Sequence, residues 1–131
     1  LARSGIRHFV LADFDIVDES NLNRQHYFPE HLGRKKTECI SEQMLRLNPD
    51  LDLTVHDILL TKDNMSSIFK NCRIVCEAFD RPDFKADLAA ALLTELPTPL
   101  SSQVRAWPAS KALIQSEQFS ACAVFISAAT V

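Results

Sequence analysis

Glycine is scarce in this sequence. Gly5 and Gly33 are the only two glycines among 131 residues, whereas an average usage near 7% predicts about nine. Any function that needs a glycine-rich loop must therefore do without one within these residues.

The sequence also lacks a basic excess, a long hydrophobic run and paired cysteines. Lys and Arg number 14 against 17 Asp and Glu, so we expect neither a nucleic-acid nor a membrane partner. The longest uncharged apolar run, residues 119–131, is shorter than the ~20 residues of a membrane span. The first ten residues show no signal-peptide pattern, and the four cysteines form no C-x-x-C pair. We therefore expect a cytoplasmic protein with reduced thiols.

The composition and the hydrophobic pattern are those of a globular α/β protein. Hydrophobic residues make up 47% and charged residues 24%, which are ordinary globular values. The pattern predicts strands at 8–12, 51–58 and 73–78, and helices at 35–47, 64–69 and 82–96. Strands that alternate with helices predict a Rossmann-like, mostly parallel, doubly wound sheet flanked by helices. After residue 100 no clear helical or strand period remains.

Polar residues follow the predicted strands at the edge where such sheets bind ligands. Asp13 ends the first strand, and a carboxylate there commonly accepts hydrogen bonds from a ribose. Arg24, one loop later, can hold a phosphate with a bidentate fork, and Lys36 stands at a predicted helix start, a favourable anion site. Taken by themselves, such residues more often cap a loop or remain solvated.

Four short motifs give the chain a resemblance to a known family. They are Asp13-Phe14-Asp15, Asn21-Leu22-Asn23-Arg24-Gln25, Gly33-x-x-Lys36 and Arg46-Leu47-Asn48-Pro49. At these spacings residues 1–100 resemble the ThiF, MoeB and HesA (ubiquitin-activating-like) adenylyltransferase superfamily, and within it ThiF most. The resemblance implies ATP-dependent adenylation of the C-terminal Gly-Gly carboxylate of a ubiquitin-like sulfur carrier protein of the thiamine pathway. It also implies Mg²⁺ as a cofactor and a homodimer in the intact family member.

The resemblance implies a role for each matching residue. Asp13 would contact the ribose of ATP, and Asn21 with Arg24 would bind the phosphates. Lys36 would stabilise charge on the transferred phosphoryl group, and Asp80, after the third strand, would hold Mg²⁺. Gln25 is a further nucleotide-site candidate that would orient the loop.

The resemblance also predicts the organisation of the chain. The family's Gly-x-Gly-Gly-x-Gly turn would lie upstream of Leu1, so we expect a fragment that lacks this phosphate-binding loop. We expect residues 1–100 to be a partial ATP-binding adenylyltransferase domain and residues 101–131 an atypical tail. Read one base earlier, that tail is compatible with segments of the family, and our hypothesis is that it is encoded out of frame.

Two other functions remain open from the sequence. The first is an NAD-type dinucleotide-binding oxidoreductase domain, because an acidic strand end suits a ribose in either case. The Asn21–Gln25 motif favours ATP over this alternative, since a dinucleotide site needs no arginine there. The second is a non-catalytic remnant that serves only in dimerisation.

Overall fold

The protein has an α/β fold built on one sheet of parallel strands. The computed structural model describes residues 5–72, 74–78, 105–106 and 122–127, together with Arg3 and Ala90. Its elements in chain order are β1 (His8–Ala12), α1 (Lys36–Leu47), β2 (Asp52–His56), α2 (Lys62–Phe69), β3 (Ile74–Ala78), β4 (Arg105–Ala106) and β5 (Cys122–Ser127). Two single-turn 3-10 helices, Glu19–Asn21 and Pro29–His31, lie between β1 and α1. The predicted α/β class with a parallel sheet is confirmed.

The strands follow one another in the order β2-β1-β5-β3-β4, and every pair of neighbours is parallel. If β1 to β4 are counted as the second to fifth strands of a doubly wound sheet, this is the common order 3-2-1-4-5. β5 then occupies the place of the first strand, between β1 and β3. Residues 101–131 show no clear strand period in the sequence, yet the structure places β4 and β5 there. β5 reads as an uninterrupted apolar run, which is typical of a strand covered on both faces.

The local elements agree with the predicted ones to within a few residues. β1 has the predicted bounds, and α1 begins one residue later than predicted, at Lys36. α2 begins two residues earlier than predicted, because the Asn64 side chain accepts a hydrogen bond from the Thr61 N–H at 2.8 Å and caps the first turn. The helix predicted over 82–96 lies, except for Ala90, outside the described residues.

The core lies between β1 and α1. Phe9 and Leu11 of β1 are almost fully buried and pack with Ile6, Met44 and Leu51. Each side chain of this size contributes ~1.5–3 kcal/mol to folding when it is fully buried. The strand is thereby fixed against the helix, and its carboxyl end is held beside the first turn of α1. Among the described residues no helix combines the length and the apolar character needed to cross a membrane.

Candidate functional site

The site begins where β1 ends, at Asp13. Asp13 is 7% exposed, and its N–H donates to the carbonyl of His56 at 3.2 Å, which ties the strand end to β2. Its carboxylate Oδ1 accepts a hydrogen bond from the N–H of Asp15 at 3.0 Å. This side-chain turn directs the chain away from the sheet. Asp13 therefore lies at the carboxyl edge of the parallel sheet, as predicted.

The loop after β1 is closed at its base. The Val17 N–H donates to the carbonyl of Arg34 at 2.9 Å, and the Gly33 N–H donates to the carbonyl of Val17 at 2.9 Å. Gly33 has a φ of 77°, a left-handed conformation that favours glycine. Since both ends of the loop are joined in this way, the Asn21–Gln25 motif is carried on a compact loop that returns to the start of α1.

Asn21 stabilises this loop through hydrogen bonds to its buried side chain and to its backbone carbonyl. Its side chain is buried, and its Oδ1 accepts from the N–H of Asp18 at 3.0 Å. Its backbone carbonyl accepts from the N–H groups of Arg24 and Gln25 at 3.3 and 2.9 Å. The pKa of Asp18 lies below its usual value, mainly because the Ser20 hydroxyl donates to its carboxylate. Asn21 thus positions Arg24, and its predicted contact with phosphate stays a prediction.

Lys36 is the buried cation of the site. It is the first residue of α1, its side chain is 3% exposed, and its Nζ donates to Oδ2 of Asp15 at 2.5 Å. Its backbone N–H donates to the carbonyl of Asp15 at 3.0 Å. The Lys36 charge also contributes to the lowered pKa of Asp18. Lys36 therefore lies between the end of β1 and the loop that carries Asn21.

Arg24 differs from the other cations of this segment. Arg34 pairs with Glu42, Lys35 with Asp57 and Lys36 with Asp15. The exposed guanidinium of Arg24 pairs with no carboxylate in the part of the chain that the structure describes. An exposed guanidinium without a carboxylate keeps all its donors for an incoming anion. The structure joins Asp13 and Lys36 through Asp15, and it holds the Arg24 backbone on the carbonyl of Asn21, with Gln25 half-buried next to Arg24 in the same loop.

Two residues of this site were given no role of their own from the sequence. Asp15 joins Asp13 to Lys36, and the half-buried Tyr27 lies close enough to both carboxylates to feel their charge. Burial raises the pKa of Tyr27 most, and the negative charge of Asp13 raises it further. Asp15 belongs to the Asp13-Phe14-Asp15 motif, but its contact with Lys36 could not be seen in the sequence. Tyr27 gives no signal in the sequence, since its proximity depends on how the loop folds back.

The predicted magnesium ligand, Asp80, lies outside the described residues. A carboxylate is the kind of hard oxygen ligand that Mg²⁺ takes, usually together with substrate phosphates. Within residues 5–72 and the other described positions, no group of three His, Cys, Asp or Glu side chains could hold a metal ion. Cys39, which is described there, is a buried free thiol.

Fold and site together define a doubly wound α/β domain with a polar site at the carboxyl end of its parallel strands. Residues 1–126 match the ThiF family, and the chain belongs to that family. The match reaches beyond residue 100, into the segment predicted as an atypical tail.

Known relatives support the same membership. The chain is 36% identical over 92 residues to the tRNA threonylcarbamoyladenosine dehydratase of Escherichia coli, which covers 69% of this chain and 34% of the relative. It is 34% identical over 74 residues to ubiquitin-like modifier-activating enzyme 5 of Caenorhabditis elegans, covering 56% of this chain and 18% of the enzyme. It is 32% identical over 82 residues to the probable adenylyltransferase/sulfurtransferase MoeZ of Mycobacterium tuberculosis, covering 61% and 21%.

Solved structures of the E. coli dehydratase, TcdA, have the same fold. Its complex with ATP matches with a TM-score of 0.66 at 33% identity, over 73% of this chain and 41% of that one. Its complex with AMP matches with a TM-score of 0.64 at 35% identity, over 68% and 37%. The chain thus spans less than half the length of each of these relatives.

Proposed function

We propose that this protein binds ATP and adenylates the C-terminal carboxylate of a small ubiquitin-like carrier protein. In this step a carboxylate oxygen of the carrier attacks the α-phosphorus of ATP, the bond to the β-phosphate breaks, and pyrophosphate leaves. Such a reaction needs charge placed around the phosphates more than it needs a protein nucleophile. In this proposal Arg24 and Lys36 supply the charge, and Asp13, the buried carboxylate at the end of β1, binds the ribose.

The observation that carries the proposal is the contrast between Arg24 and the three cations after it. Arg34, Lys35 and Lys36 each have a carboxylate partner. Arg24, on the loop that Asn21 shapes, is left for an anion from outside. An NAD-type oxidoreductase domain would also use Asp13, but it gives no reason for an available arginine on this loop. Relatives named as adenylyltransferases, and the ATP and AMP complexes of TcdA, support ATP as the ligand.

The finer parts of the proposal concern the partners. We propose a sulfur carrier of the thiamine type, ending in Gly-Gly, as the substrate, and Mg²⁺ held by Asp80 as the metal. We also propose that the protein pairs with a second copy of itself. A remnant that only dimerises remains the alternative, and it is favoured if the chain self-associates but binds no nucleotide.

Nucleotide titration of the purified chain tests this function. We expect ATP to bind more tightly than NAD, and Arg24→Ala to weaken ATP binding about tenfold or more because a bidentate phosphate contact is lost. The matched control is Arg7→Ala, which removes an exposed guanidinium just before β1, at the opposite end of the strand. Equal ATP affinity in the two variants, or a preference for NAD, would contradict the proposal.

A further inference from the structure

All the polar groups of Asp15 are hydrogen-bonded, and three of them join the end of β1 to the start of α1. Its N–H donates to Oδ1 of Asp13 at 3.0 Å, and its carbonyl accepts from the N–H of Lys36 at 3.0 Å. Its Oδ1 accepts from the N–H of Ile16 at 2.9 Å, and its Oδ2 accepts from Nζ of Lys36 at 2.5 Å. Lys36 is therefore attached to Asp15 through both backbone and side chain.

Stability alone does not account for this ion pair. A buried ammonium loses its hydration, and the attraction to a partner often does no more than offset that loss. Lys36 also opens α1, where a positive charge opposes the helix macrodipole. A neutral apolar side chain at this position would avoid both costs. The burial of Lys36 is explained if the function of the protein requires an ammonium group at this position.

The neighbouring ion pairs are much more exposed to solvent than the pair of Lys36 and Asp15. Lys35 and Asp57 are 45% and 38% exposed, and Arg34 and Glu42 are 39% and 50% exposed. Such surface pairs retain most of their hydration and hold their partners loosely. Lys36, the residue after Lys35, is 3% exposed, and its partner Asp15 is 25% exposed. Among the pairs at the start of α1, only this one fixes a cation inside the protein.

We propose that Asp15 is a positioning residue that holds the Lys36 ammonium at the carboxyl end of β1 for contact with a bound phosphate. Asp15 touches no reacting atom in this role. It acts through Lys36. The hydrogen bond from its backbone N–H to Asp13 keeps the lysine in a fixed position relative to the end of β1. The placement of the lysine is independent of the ligand, whereas its use toward a nucleotide phosphate rests on the proposed function.

Amine labelling tests the placement without any assay of activity. The protein is acetylated with a water-soluble reagent, and the rates at Lys35 and Lys36 are compared by mass spectrometry. In the wild type we expect Lys36 to react at least tenfold more slowly than Lys35. Asp15→Asn should remove most of that difference, whereas the matched variant Asp57→Asn, which unpairs Lys35, should leave Lys36 protected. Unchanged protection of Lys36 in Asp15→Asn would overturn the proposal.

A second variant keeps the test decisive if Asp15→Asn does not fold by circular dichroism. Asp15→Glu retains the carboxylate on a side chain one methylene longer, so it should keep Lys36 protected to within about threefold. Loss of protection in folded Asp15→Glu would contradict the proposal.

Titration with ATP and with adenosine distinguishes positioning from a general structural role. Adenosine carries the ribose but no phosphate, so Asp15→Asn should weaken ATP binding about tenfold and leave adenosine binding unchanged. Asp15→Glu should restore most of the ATP affinity. Equal loss for both ligands would indicate a structural role and would contradict the proposal. If the wild type binds neither ligand, the proposed function fails, and the labelling result still decides whether Asp15 positions Lys36.

Discussion

Tyr27 shows how the site changes the properties of a single residue. Its phenol is withdrawn from water and lies close to Asp13 and Asp15, and both effects disfavour the tyrosinate anion. The pKa is therefore raised from its ordinary value of 10.0. At neutral pH the hydroxyl of Tyr27 therefore keeps its proton.

This raised pKa predicts a loss of stability in alkali. Above pH 10 the unfolded chain releases the phenolic proton while the folded protein retains it, so unfolding becomes more favourable as the pH rises. We expect the unfolding free energy to fall by up to ~1.4 kcal/mol per pH unit from this group. Tyr27→Phe should remove that part of the pH dependence, as measured by urea unfolding between pH 9 and 11.

Absorbance gives an independent check, because Tyr27 is the only tyrosine of the chain. The tyrosinate signal should appear at a higher pH in the native protein than in urea. Coincident titration curves in the two states would show that the phenol is not withdrawn from water.

At the residue scale the sequence predicted the groups that have a recognisable chemical role. Asp13, Arg24 and Lys36 could be selected because strand ends and helix starts are recognisable from local patterns. The pairing of Lys36 with Asp15, 21 positions earlier, could not, because it depends on how the loop closes. The same is true of Tyr27.

At the scale of elements, closure of the loop between β1 and α1 depends on Gly33. Its φ of 77° is costly for a residue with a Cβ, although a Cβ there would meet no atom within 4 Å. We expect Gly33→Ala to lower the unfolding free energy by ~1 kcal/mol through backbone strain alone, as measured by urea denaturation. Gly33→Asn should cost less, because asparagine tolerates the left-handed region.

Gly5 provides the matched control for this prediction. Its φ is 88°, and a Cβ there would likewise find open space, but it lies before β1 and outside the loop. Gly5→Ala should therefore lower the unfolding free energy by a similar amount and leave the affinity for ATP unchanged. Gly33→Ala should in addition weaken ATP binding. Equal stability of the alanine and asparagine variants at position 33 would contradict the strain argument.

At the scale of the whole molecule, the sheet depends on β5, a strand for which the sequence shows no clear period. β5 is hydrogen-bonded to β1 on one side and to β3 on the other. Without it, the described strands would form two separate pairs, β2 with β1 and β3 with β4. Isolated two-stranded pairs are marginally stable at best in water.

Truncation tests this dependence. We expect a chain ending at Ala121 to lose its cooperative unfolding transition in urea, since its sheet has no centre. A chain ending at Ser127 keeps β5 and should unfold cooperatively. The opposite outcome is that the residues before the predicted boundary at residue 100 fold without the tail. A cooperative transition for the chain ending at Ala121, with an unchanged midpoint, would favour that boundary.

The class of the fold was predictable from the sequence, but its strand order was not. Local periodicity reports each helix and strand separately, and it identified β1, β2 and β3. Which strands become neighbours depends on contacts between residues far apart in the chain. β4 is too short to give a periodic signal, and the tail's composition differs from that of the rest, so β5 was missed.

The central position of β5 in the sheet has a consequence for folding during translation. β1 is synthesised well before β5, and among the described strands one of its edges has no partner until β5 emerges. At roughly 5–20 residues per second, translation leaves that edge open for on the order of ten seconds. An unpaired strand edge is a template for pairing with other chains, and long-range parallel pairing is slow to form. The nascent chain should therefore be most prone to aggregation, and most dependent on chaperones, during this interval.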